Sequence, residues 1–348
     1  PVFKKYFSIF RINYSIFFCF FFFPYGMAEP VSSNISLFKE DSLAYLLIKK
    51  SDKVKYEIGF SDPCHLNKLS SVKRIVEKNN TVAGINLSYF GYPFNDFKNG
   101  DIRGYCIQKG ELLKSRSIWD SWMDVLLIYS GKNSFSIKRL KDTPKIILKI
   151  NGKMITDDLS VNISHWGKKR DYALFFNGYG ISYIPPAMKG YSLDGVDVLS
   201  LKTSNEFTVL KNSMNTNEFY SVISSATGNI FTGLKSGEKV VIETDFSDDI
   251  KNSQFCVSVG SVFIENNRYT PSDKNANDDK SFLGIFPNGN ILVGCSSFSN
   301  TILGKKLETM GIKDCVLFDG GGSSCLNVKG KNIFGGERDV ANALLIRD

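Results

Sequence analysis

The sequence predicts an α+β fold, a single β-rich domain with mixed sheets flanked by a few helices. Three observations lead to this prediction. Short apolar runs bounded by Gly, Asn, Ser and Pro recur along most of the 348 residues, as expected of strands joined by turns. Apolar spacing typical of an amphipathic helix stands out in two segments, 66–78 and 303–310. The composition does not change sharply after residue 30, so no linker is expected.

The first 28 residues have the layout of a secretory signal peptide. Three basic residues and no acidic one accompany an apolar run over residues 16–23, and small residues follow at Gly26 and Ala28. The run is too short to cross a bilayer, which takes about 20 residues. We therefore expect a secreted or periplasmic protein with a mature domain over residues 29–348. Membrane contact is expected only through the signal segment if it stays uncleaved.

The basic net charge of +8 arises partly from this segment. Without its three basic residues about +5 remains, with no long block of Lys or Arg, so no nucleic-acid partner is expected. The hydrophobic content of 43% also excludes a disordered chain.

The cysteine count permits disulfides. Cys19 lies in the apolar run, and an even number remains without it, which allows up to three disulfides in an exported protein. The remaining cysteines are Cys64, Cys106, Cys256, Cys295, Cys315 and Cys325. Their pairing stays open, and several could be buried thiols. A structural zinc site is not expected, because the sequence lacks a CxxC pair and has 2 His.

The elements can be assigned along the chain. Strands are expected at 42–49, 54–60 and 82–87, at 145–150, 172–176 and 239–244 in a variable middle (132–254), and at 255–265, 282–293, 315–318, 325–328 and 340–346. The second helix is expected to end at Gly311, since glycine is favoured just past a helix end. An aromatic loop over 89–97 could line a site, although Phe90 and Phe94 could equally fill the core.

A glycine-rich loop is the strongest candidate for chemistry. Asp319 ends a predicted buried strand and is followed by three glycines and two serines, Gly320–Ser324. Glycines let a backbone approach a ligand, and their N–H groups can form an anion-binding nest while Asp319 acts as acid, base or ligand. A tight turn in which Asp319 accepts hydrogen bonds from its own loop explains the residues equally well. The loop lacks the lysine of a P-loop and the glycines of a G-x-S-x-G elbow.

The segment CVLFDGGGSSCL at 315–326 resembles the signature of the phosphodiester glycosidase family. Three further segments are similar to that family in the same order along the chain. They are the strand and loop at 83–90 with Gly104 and Gly110 after it, the hairpin at 280–289, and the stretch 337–342 with its Arg before the last strand.

The resemblance covers about residues 80–131 and 255–348, and it implies a phosphodiester-glycosidase-like β-rich fold. The sequence departs from the family pattern at two places. Leu87 and Ser88 follow Asn86 where the family has Gly or Ala, and Lys280 replaces an arginine. Lysine keeps the charge but lacks the planar fork that binds phosphate at two points.

The resemblance implies a hydrolase of sugar-1-phosphodiesters that releases a sugar and leaves a phosphomonoester. Asp319 would activate water or stabilise an oxocarbenium-like centre, while Lys280 and Arg338 would neutralise the phosphate as further catalytic residues. Asn86 would bond a sugar hydroxyl, and Phe90 would provide an apolar wall. The full set of expected substrate contacts is Asn86, Phe90, Gly104, Ser281, Gly320, Gly321, Gly322, Ser323 and Ser324.

Two other functions stay open. The two departures are compatible with an exported glycan-binding protein without turnover. The second alternative is a different hydrolase that acts on cell-wall or exopolysaccharide polymer. In each case the expected partner is a sugar phosphodiester or a glycan. No cofactor is indicated with certainty, and the involvement of a divalent metal stays open.

Overall fold

The computed structural model describes residues 28–62, 66, 68–91, 100–117, 120–132, 134–163, 172–176, 189–194, 198–212, 221–225, 234–271 and 278–348. The predicted signal peptide apart from Ala28 lies outside the described residues, as do Cys19, Cys64 and Phe94. In the described part of the chain, no helix combines the length and apolar character needed to cross a membrane.

Strands dominate the described residues. In chain order they are β1 (Glu29–Pro30), β2 (Ile35–Glu40), β3 (Leu43–Ile48), β4 (Lys55–Phe60), β5 (Ser70–Ser71), β6 (Ala83–Asn86), β7 (Cys106–Gln108), β8 (Glu111–Lys114), β9 (Val125–Gly131), β10 (Ser134–Arg139), β11 (Ile146–Ile150), β12 (Lys153–Thr156), β13 (Ser160–Val161), β14 (Tyr172–Phe176), β15 (Lys189–Asp194), β16 (Leu199–Ser200), β17 (Asn205–Asn212), β18 (Ser221–Ser225), β19 (Lys239–Thr244), β20 (Phe255–Val259), β21 (Val262–Glu265), β22 (Arg268–Tyr269), β23 (Lys280–Ile285), β24 (Ile291–Ser296), β25 (Asp314–Leu317), β26 (Leu326–Val328), β27 (Lys331–Phe334), β28 (Asp339–Val340) and β29 (Asn342–Arg347). The helices are α1 (Val72–Lys78), α2 (Asp248–Lys251) and α3 (Asn300–Thr309), and Gly321–Ser323 form one 3₁₀ turn.

The strands form four sheets and a small β5–β28 pair. Sheet I has the order β1-β2-β3-β24-β23-β25-β21-β22, sheet II β10-β9-β20-β7-β8-β16, sheet III β12-β11-β19-β17-β15-β18-β14-β13, and sheet IV β27-β26-β6-β29-β4. The β-rich architecture with few helices is therefore confirmed. Among the described strand pairs only β13 and β14 run parallel, so sheet III is a mixed sheet and the other sheets are antiparallel.

The sheets pack as layers around three apolar cores. One core lies between sheets I, II and IV, a second between sheets II and III, and a third between sheet I and α3. Sheet II is buried on both faces, so β9 reads as an unbroken apolar run in which Leu127 faces the first core and Ile128 the second. This packing places an edge of sheet II beside sheet I, and a cleft opens between the two sheets.

The two predicted helices are present, and their ends have clear causes. α1 begins later than predicted because Ser71 caps it, its hydroxyl oxygen accepting the N–H of Arg74 at 3.4 Å. α3 ends at Thr309, and Gly311 just beyond it has φ +82°, a conformation that glycine adopts without strain. The prediction that Gly311 ends this helix is confirmed.

The cysteines that the structure describes are free, buried thiols. Cys106 and Cys256 lie on neighbouring strands of sheet II, but their side chains point into different cores, so they cannot pair. Burial raises the pKa of Cys106 to about 12 and that of Cys325 to about 12, which keeps both thiols protonated. The expectation of up to three disulfides is therefore not supported in the described residues.

Candidate functional site

A cleft of about 670 Å³ opens between sheets I and II. Sheet I and the loop after β25 contribute Lys280, Asp319 and the start of the glycine-rich loop to its lining. The opposite side is contributed by residues of β9 and β10 and by Trp122 on the turn before β9. The structure therefore brings the predicted carboxylate and the predicted ammonium into one cavity, although they are 39 positions apart in sequence.

Asp319 follows β25 at the inner end of the cleft. Burial raises the pKa of its carboxyl to about 6, although hydrogen bonds from the Ser323 side chain and the Gly320 N–H and the positive charge of Arg338 oppose this rise. A carboxyl with this pKa changes protonation state near neutral pH. Such tuning is what a carboxylate needs if it is to exchange a proton with water or substrate.

Lys280 is the first residue of β23 and is only 5% exposed. Its ammonium donates a hydrogen bond to the backbone carbonyl of Asp278. Burial lowers the pKa of Lys280, while the neighbouring charges of Asp278 and Asp279 raise it. Lys280 thus places a positive charge in the cleft that contains the Asp319 carboxyl.

The amides of the glycine-rich loop are largely used within the protein. The Gly320 N–H donates to the Asp319 carboxylate, and the Gly321 N–H donates to the Asp279 carbonyl at 2.7 Å. The N–H groups of Ser323 and Ser324 donate to carbonyls earlier in the same loop. An open anion nest over Gly320–Gly322 is therefore not what the described residues form. Their conformation agrees with the alternative of a tight turn that holds its own carboxylate.

Ser323 and Ser324 lie beneath this loop and are 2% and 1% exposed. The Ser323 side chain donates a hydrogen bond to Asp319. The Ser324 hydroxyl is buried and has no hydrogen-bond partner among the described residues. Neither residue is among those that line the described cleft, so their direct contact with substrate stays a prediction. Ser323 acts on the site through the carboxyl that it binds.

Arg338 packs on the outer side of the loop. A Cβ atom placed on Gly322 would lie 2.7 Å from Arg338 Nη1, so the guanidinium occupies the space that a side chain there would need. Arg338 is exposed, and its charge lowers the pKa of Asp319. It reaches the site beside the loop rather than as part of the described cleft lining.

Asn86 and Ser281 form a buried hydrogen-bonded node behind the cleft. The Asn86 amide donates to the Asp319 carbonyl at 2.6 Å, and its side-chain oxygen accepts from the Ser281 hydroxyl at 2.6 Å and from the Cys325 N–H at 3.0 Å. The two residues are 1% and 0% exposed. In the structure their polar groups join β6, β23 and the backbone around Asp319, and their contact with substrate stays a prediction.

Phe90 and Gly104 also lie away from the cleft lining. Phe90 is 9% exposed and packs in the first core, so the core-filling alternative holds for it. Gly104 has φ +77°, and a Cβ there would come within 2.3 Å of the Ser258 Cβ. Gly104 is required by close packing, and its N–H donates to the Asp120 carboxylate at 3.3 Å. For both residues, contact with substrate stays a prediction.

Tyr89 and Trp122, two aromatic residues that the sequence did not single out, line the cleft. Burial and the charge of Asp319 raise the pKa of Tyr89 to about 12, so its hydroxyl stays protonated. Its ring meets the Trp122 ring edge to face, with centroids 5.2 Å apart and an interplanar angle of 88°. The aromatic loop signal at 89–97 pointed to this region, but no sequence pattern distinguished Trp122.

In the part of the chain that the structure describes, no group of three or more His, Cys, Asp or Glu side chains could hold a metal ion. The described residues therefore offer no candidate set of ligands for a divalent metal.

The fold and the cleft define a largely antiparallel β protein with a half-buried carboxyl and a buried ammonium in one ligand-sized cavity. The family model described as phosphodiester glycosidase matches residues 196–347, which include Lys280, Asp319 and Arg338. The resemblance to this family is thereby confirmed over the carboxy-terminal part of the chain. A search of curated proteins finds no match.

Solved structures extend the comparison to the fold. A hypothetical protein from Synechocystis aligns with a TM-score of 0.72 and 15% identity, covering 93% of this chain and 64% of that protein. A protein of Burkholderia pseudomallei K96243 aligns with a TM-score of 0.64 and 14% identity, covering 90% and 74%. The chain thus spans less than two thirds of the length of the Synechocystis protein.

The catalytic domain of zebrafish N-acetylglucosamine-1-phosphodiester alpha-N-acetylglucosaminidase, auto-inhibited by its pro-peptide, aligns with a TM-score of 0.42 and 10% identity. That alignment covers 93% of this chain and 88% of the zebrafish chain. At these identities the likenesses to the Synechocystis and Burkholderia proteins establish the fold and nothing finer.

Proposed function

We propose that this protein hydrolyses sugar-1-phosphodiesters. The observation that carries the proposal is that the Asp319 carboxyl and the Lys280 ammonium line the same cleft. Both residues lie in the segment that matches the phosphodiester glycosidase family. A phosphodiester is an anion attached to a sugar, and a cleft that offers a cation and a proton-exchanging carboxyl suits both parts.

In the proposed reaction, water attacks the anomeric carbon of the sugar. The bond between that carbon and the phosphate oxygen breaks, its electron pair goes to the phosphate, and a phosphomonoester leaves. The Asp319 carboxylate either accepts the proton of the attacking water or stabilises the positive charge that develops at the anomeric carbon. Because burial raises its pKa to about 6, it is a stronger base than an exposed aspartate.

Lys280 and Arg338 have complementary roles in this proposal. Lys280 is buried in the cleft and would neutralise the phosphate charge that grows as the bond breaks. Arg338 lies beside Gly322 and is exposed, so it would attract the anion and hold the Asp319 pKa from rising further. Lysine is a compact charge without a planar fork, so its contact with phosphate is a single-point one.

The test follows the fate of the bond. The protein is incubated with a synthetic sugar-1-phosphodiester in ¹⁸O-labelled water, and the products are identified by mass spectrometry at short times. Hydrolysis at the anomeric carbon gives a free sugar and a phosphomonoester without ¹⁸O. Label in the phosphomonoester would indicate attack at phosphorus, and binding without product would indicate a glycan-binding protein. Either result would overturn the proposal.

We also propose that the protein is exported and that the mature domain covers residues 29–348. The basic residues, short apolar run and small residues of the first 28 positions support this. Expression in a bacterial host followed by fractionation and amino-terminal sequencing tests it. We expect a soluble exported species that begins at Glu29, and retention of the full chain inside the cell would contradict the proposal.

A further inference from the structure

We propose that Trp122 and Tyr89 form the subsite that binds the sugar ring, with the Trp122 indole stacked on the ring and the Tyr89 hydroxyl hydrogen-bonded to it. This inference rests on the proposed function and deepens it, because it assigns the part of the cleft that selects the sugar. Neither residue belongs to the segment that matches the phosphodiester glycosidase model.

The position of the pair supports the assignment. Both rings line the cleft that contains Asp319, and Tyr89 is near enough for the Asp319 charge to raise its pKa. If Asp319 acts at the anomeric carbon, the sugar ring must lie beside it. Tyr89 is therefore placed to contact the sugar, and the Trp122 ring continues the same surface.

The chemistry of the pair suits a sugar rather than a phosphate. Sugar rings present C–H groups that pack on aromatic faces and hydroxyl groups that exchange hydrogen bonds. Trp122 offers a large apolar ring that is 47% exposed, and Tyr89 offers a hydroxyl that stays neutral because its pKa is about 12. The positive charge that a phosphate needs is supplied in the same cleft by Lys280.

Exposure of the indole comes from a fixed turn. The buried carboxylate of Asp120, which is 1% exposed, accepts hydrogen bonds from Arg103 Nη1 and from the Gly104 N–H, both at 3.3 Å. The Asp120 carbonyl accepts the Met123 N–H at 2.8 Å and so closes the turn around Trp122. The tip of this turn is held in position before any ligand arrives, which lowers the entropy lost on binding.

Arg103 connects the two aromatic residues. Its backbone N–H donates to the Tyr89 carbonyl at 2.8 Å, while its side chain binds the Asp120 carboxylate that holds the Trp122 turn. One residue thus positions both halves of the subsite. A surface tryptophan without a function has no need of such an anchor.

Four variants test the subsite in the full chain. Trp122→Ala removes the stacking surface, Trp122→Phe keeps a ring, Tyr89→Phe removes the hydroxyl, and Ile302→Ala is the control because Ile302 is also exposed (54%) but lies on α3. With a sugar-1-phosphodiester we expect KM to rise roughly tenfold or more for Trp122→Ala, corresponding to about 1.4 kcal/mol. Smaller increases are expected for Trp122→Phe and Tyr89→Phe, and none for Ile302→Ala. An unchanged KM in Trp122→Ala would overturn the inference.

A binding measurement separates this inference from the proposed activity. Tryptophan fluorescence of wild type and Trp122→Phe is titrated with the 1-phosphates of glucose, mannose and N-acetylglucosamine. We expect at least one sugar to change the wild-type signal, and that change to be lost in Trp122→Phe although Trp119 and Trp166 are retained. Sugar binding without hydrolysis would contradict the proposed function and support the subsite. Hydrolysis together with the same fluorescence change in wild type and Trp122→Phe would support the proposed function and contradict the subsite.

Discussion

The two sides of the cleft are built in different ways. On the side of sheet I, Lys280 is buried and its ammonium donates to the Asp278 carbonyl, while Asp319 is half-buried and its backbone carbonyl accepts from Asn86. Elsewhere in the lining, Tyr89 and Trp122 offer uncharged rings, and Trp122 is 47% exposed. Charged groups must be fixed because an unpaired buried charge is costly, whereas an indole can stand in solvent at little cost. The proposed reacting groups and the proposed sugar-binding rings therefore occupy separate parts of one cavity.

The largest effect is expected from Asp319→Asn, which removes the proton-exchanging group and keeps the side-chain shape. General acid–base groups contribute about 10²- to 10⁴-fold, so we expect kcat to fall by about 10³-fold. The rate of sugar release is measured on protein whose fold is checked by circular dichroism. Retention of more than a tenth of the wild-type rate would remove Asp319 from the chemistry and leave only the aromatic side as functional.

The pH profile of the wild type tests the state in which Asp319 works. Its pKa is raised to about 6 by burial, and its proposed active form is the carboxylate. The fraction of carboxylate increases as the pH rises, so kcat/KM should increase from pH 5 to 7 with a midpoint near 6. A rate that falls over this range would mean that the protonated acid is the active form.

Lys280 should show an intermediate effect. Lys280→Ala removes the buried cation, and losses of about 10²-fold are typical when one group that stabilises developing negative charge is removed. Lys280→Arg restores the residue of the family pattern and keeps the charge, so it serves as the matched variant and should retain most of the activity. If both variants lose activity equally, the site requires the shape of the ammonium rather than its charge.

Asn86 is expected to affect stability more than recognition. Asn86→Ala leaves three buried hydrogen-bonding partners without the amide, and we expect a decrease of about 2–4 kcal/mol in the free energy of unfolding, measured in urea. Asn252→Ala, at the exposed end of α2, is the control and should change stability by less than about 0.5 kcal/mol. A stable Asn86→Ala protein with a raised KM would instead support the earlier expectation of a sugar contact.

The smallest effect is expected from Arg338→Ala. Arg338 is exposed, and exposed charge pairs contribute at most about 1 kcal/mol, so kcat/KM should fall by no more than about fivefold. Its charge lowers the pKa of Asp319, so removing it should move the midpoint of the pH profile upward. Arg338→Lys keeps the charge and should leave the midpoint in place. A midpoint that does not move in Arg338→Ala would show that the two groups are not coupled.

The sequence predicted the charged side of the cleft better than the aromatic side for a physical reason. Asp319 and its glycines lie in one continuous segment, and the residue types of that segment indicate which chemistry it can perform. The strands at 146–150, 172–176 and 239–244 were also predictable, because their apolar residues mark buried faces. Which face of a strand or loop meets the cleft depends on packing between sheets, and no local pattern records that.

The same limit explains why the sequence did not indicate which aromatic residues line the cleft. Tyr89 and Phe90 are adjacent and both aromatic, yet one lines the cleft and the other fills the core. Asn86 was selected through the family resemblance as a sugar contact, and its hydrogen-bonding partners come from β23 and the loop after β25, far away in sequence. The position of Trp122 depends on the hydrogen bond between Arg103 and Asp120, two residues that only the folded chain brings together.

The anchored turn at Asp120 has an evolutionary consequence. The buried Asp120 carboxylate at the base sets the conformation of the turn, so the Trp122 side chain at its tip contributes little to folding. A lineage can therefore exchange Trp122 for another side chain without disturbing the glycine-rich loop on the other side of the cleft. Under the proposed function, a single substitution at that tip would change the ligand preference and leave the proposed reacting groups unchanged.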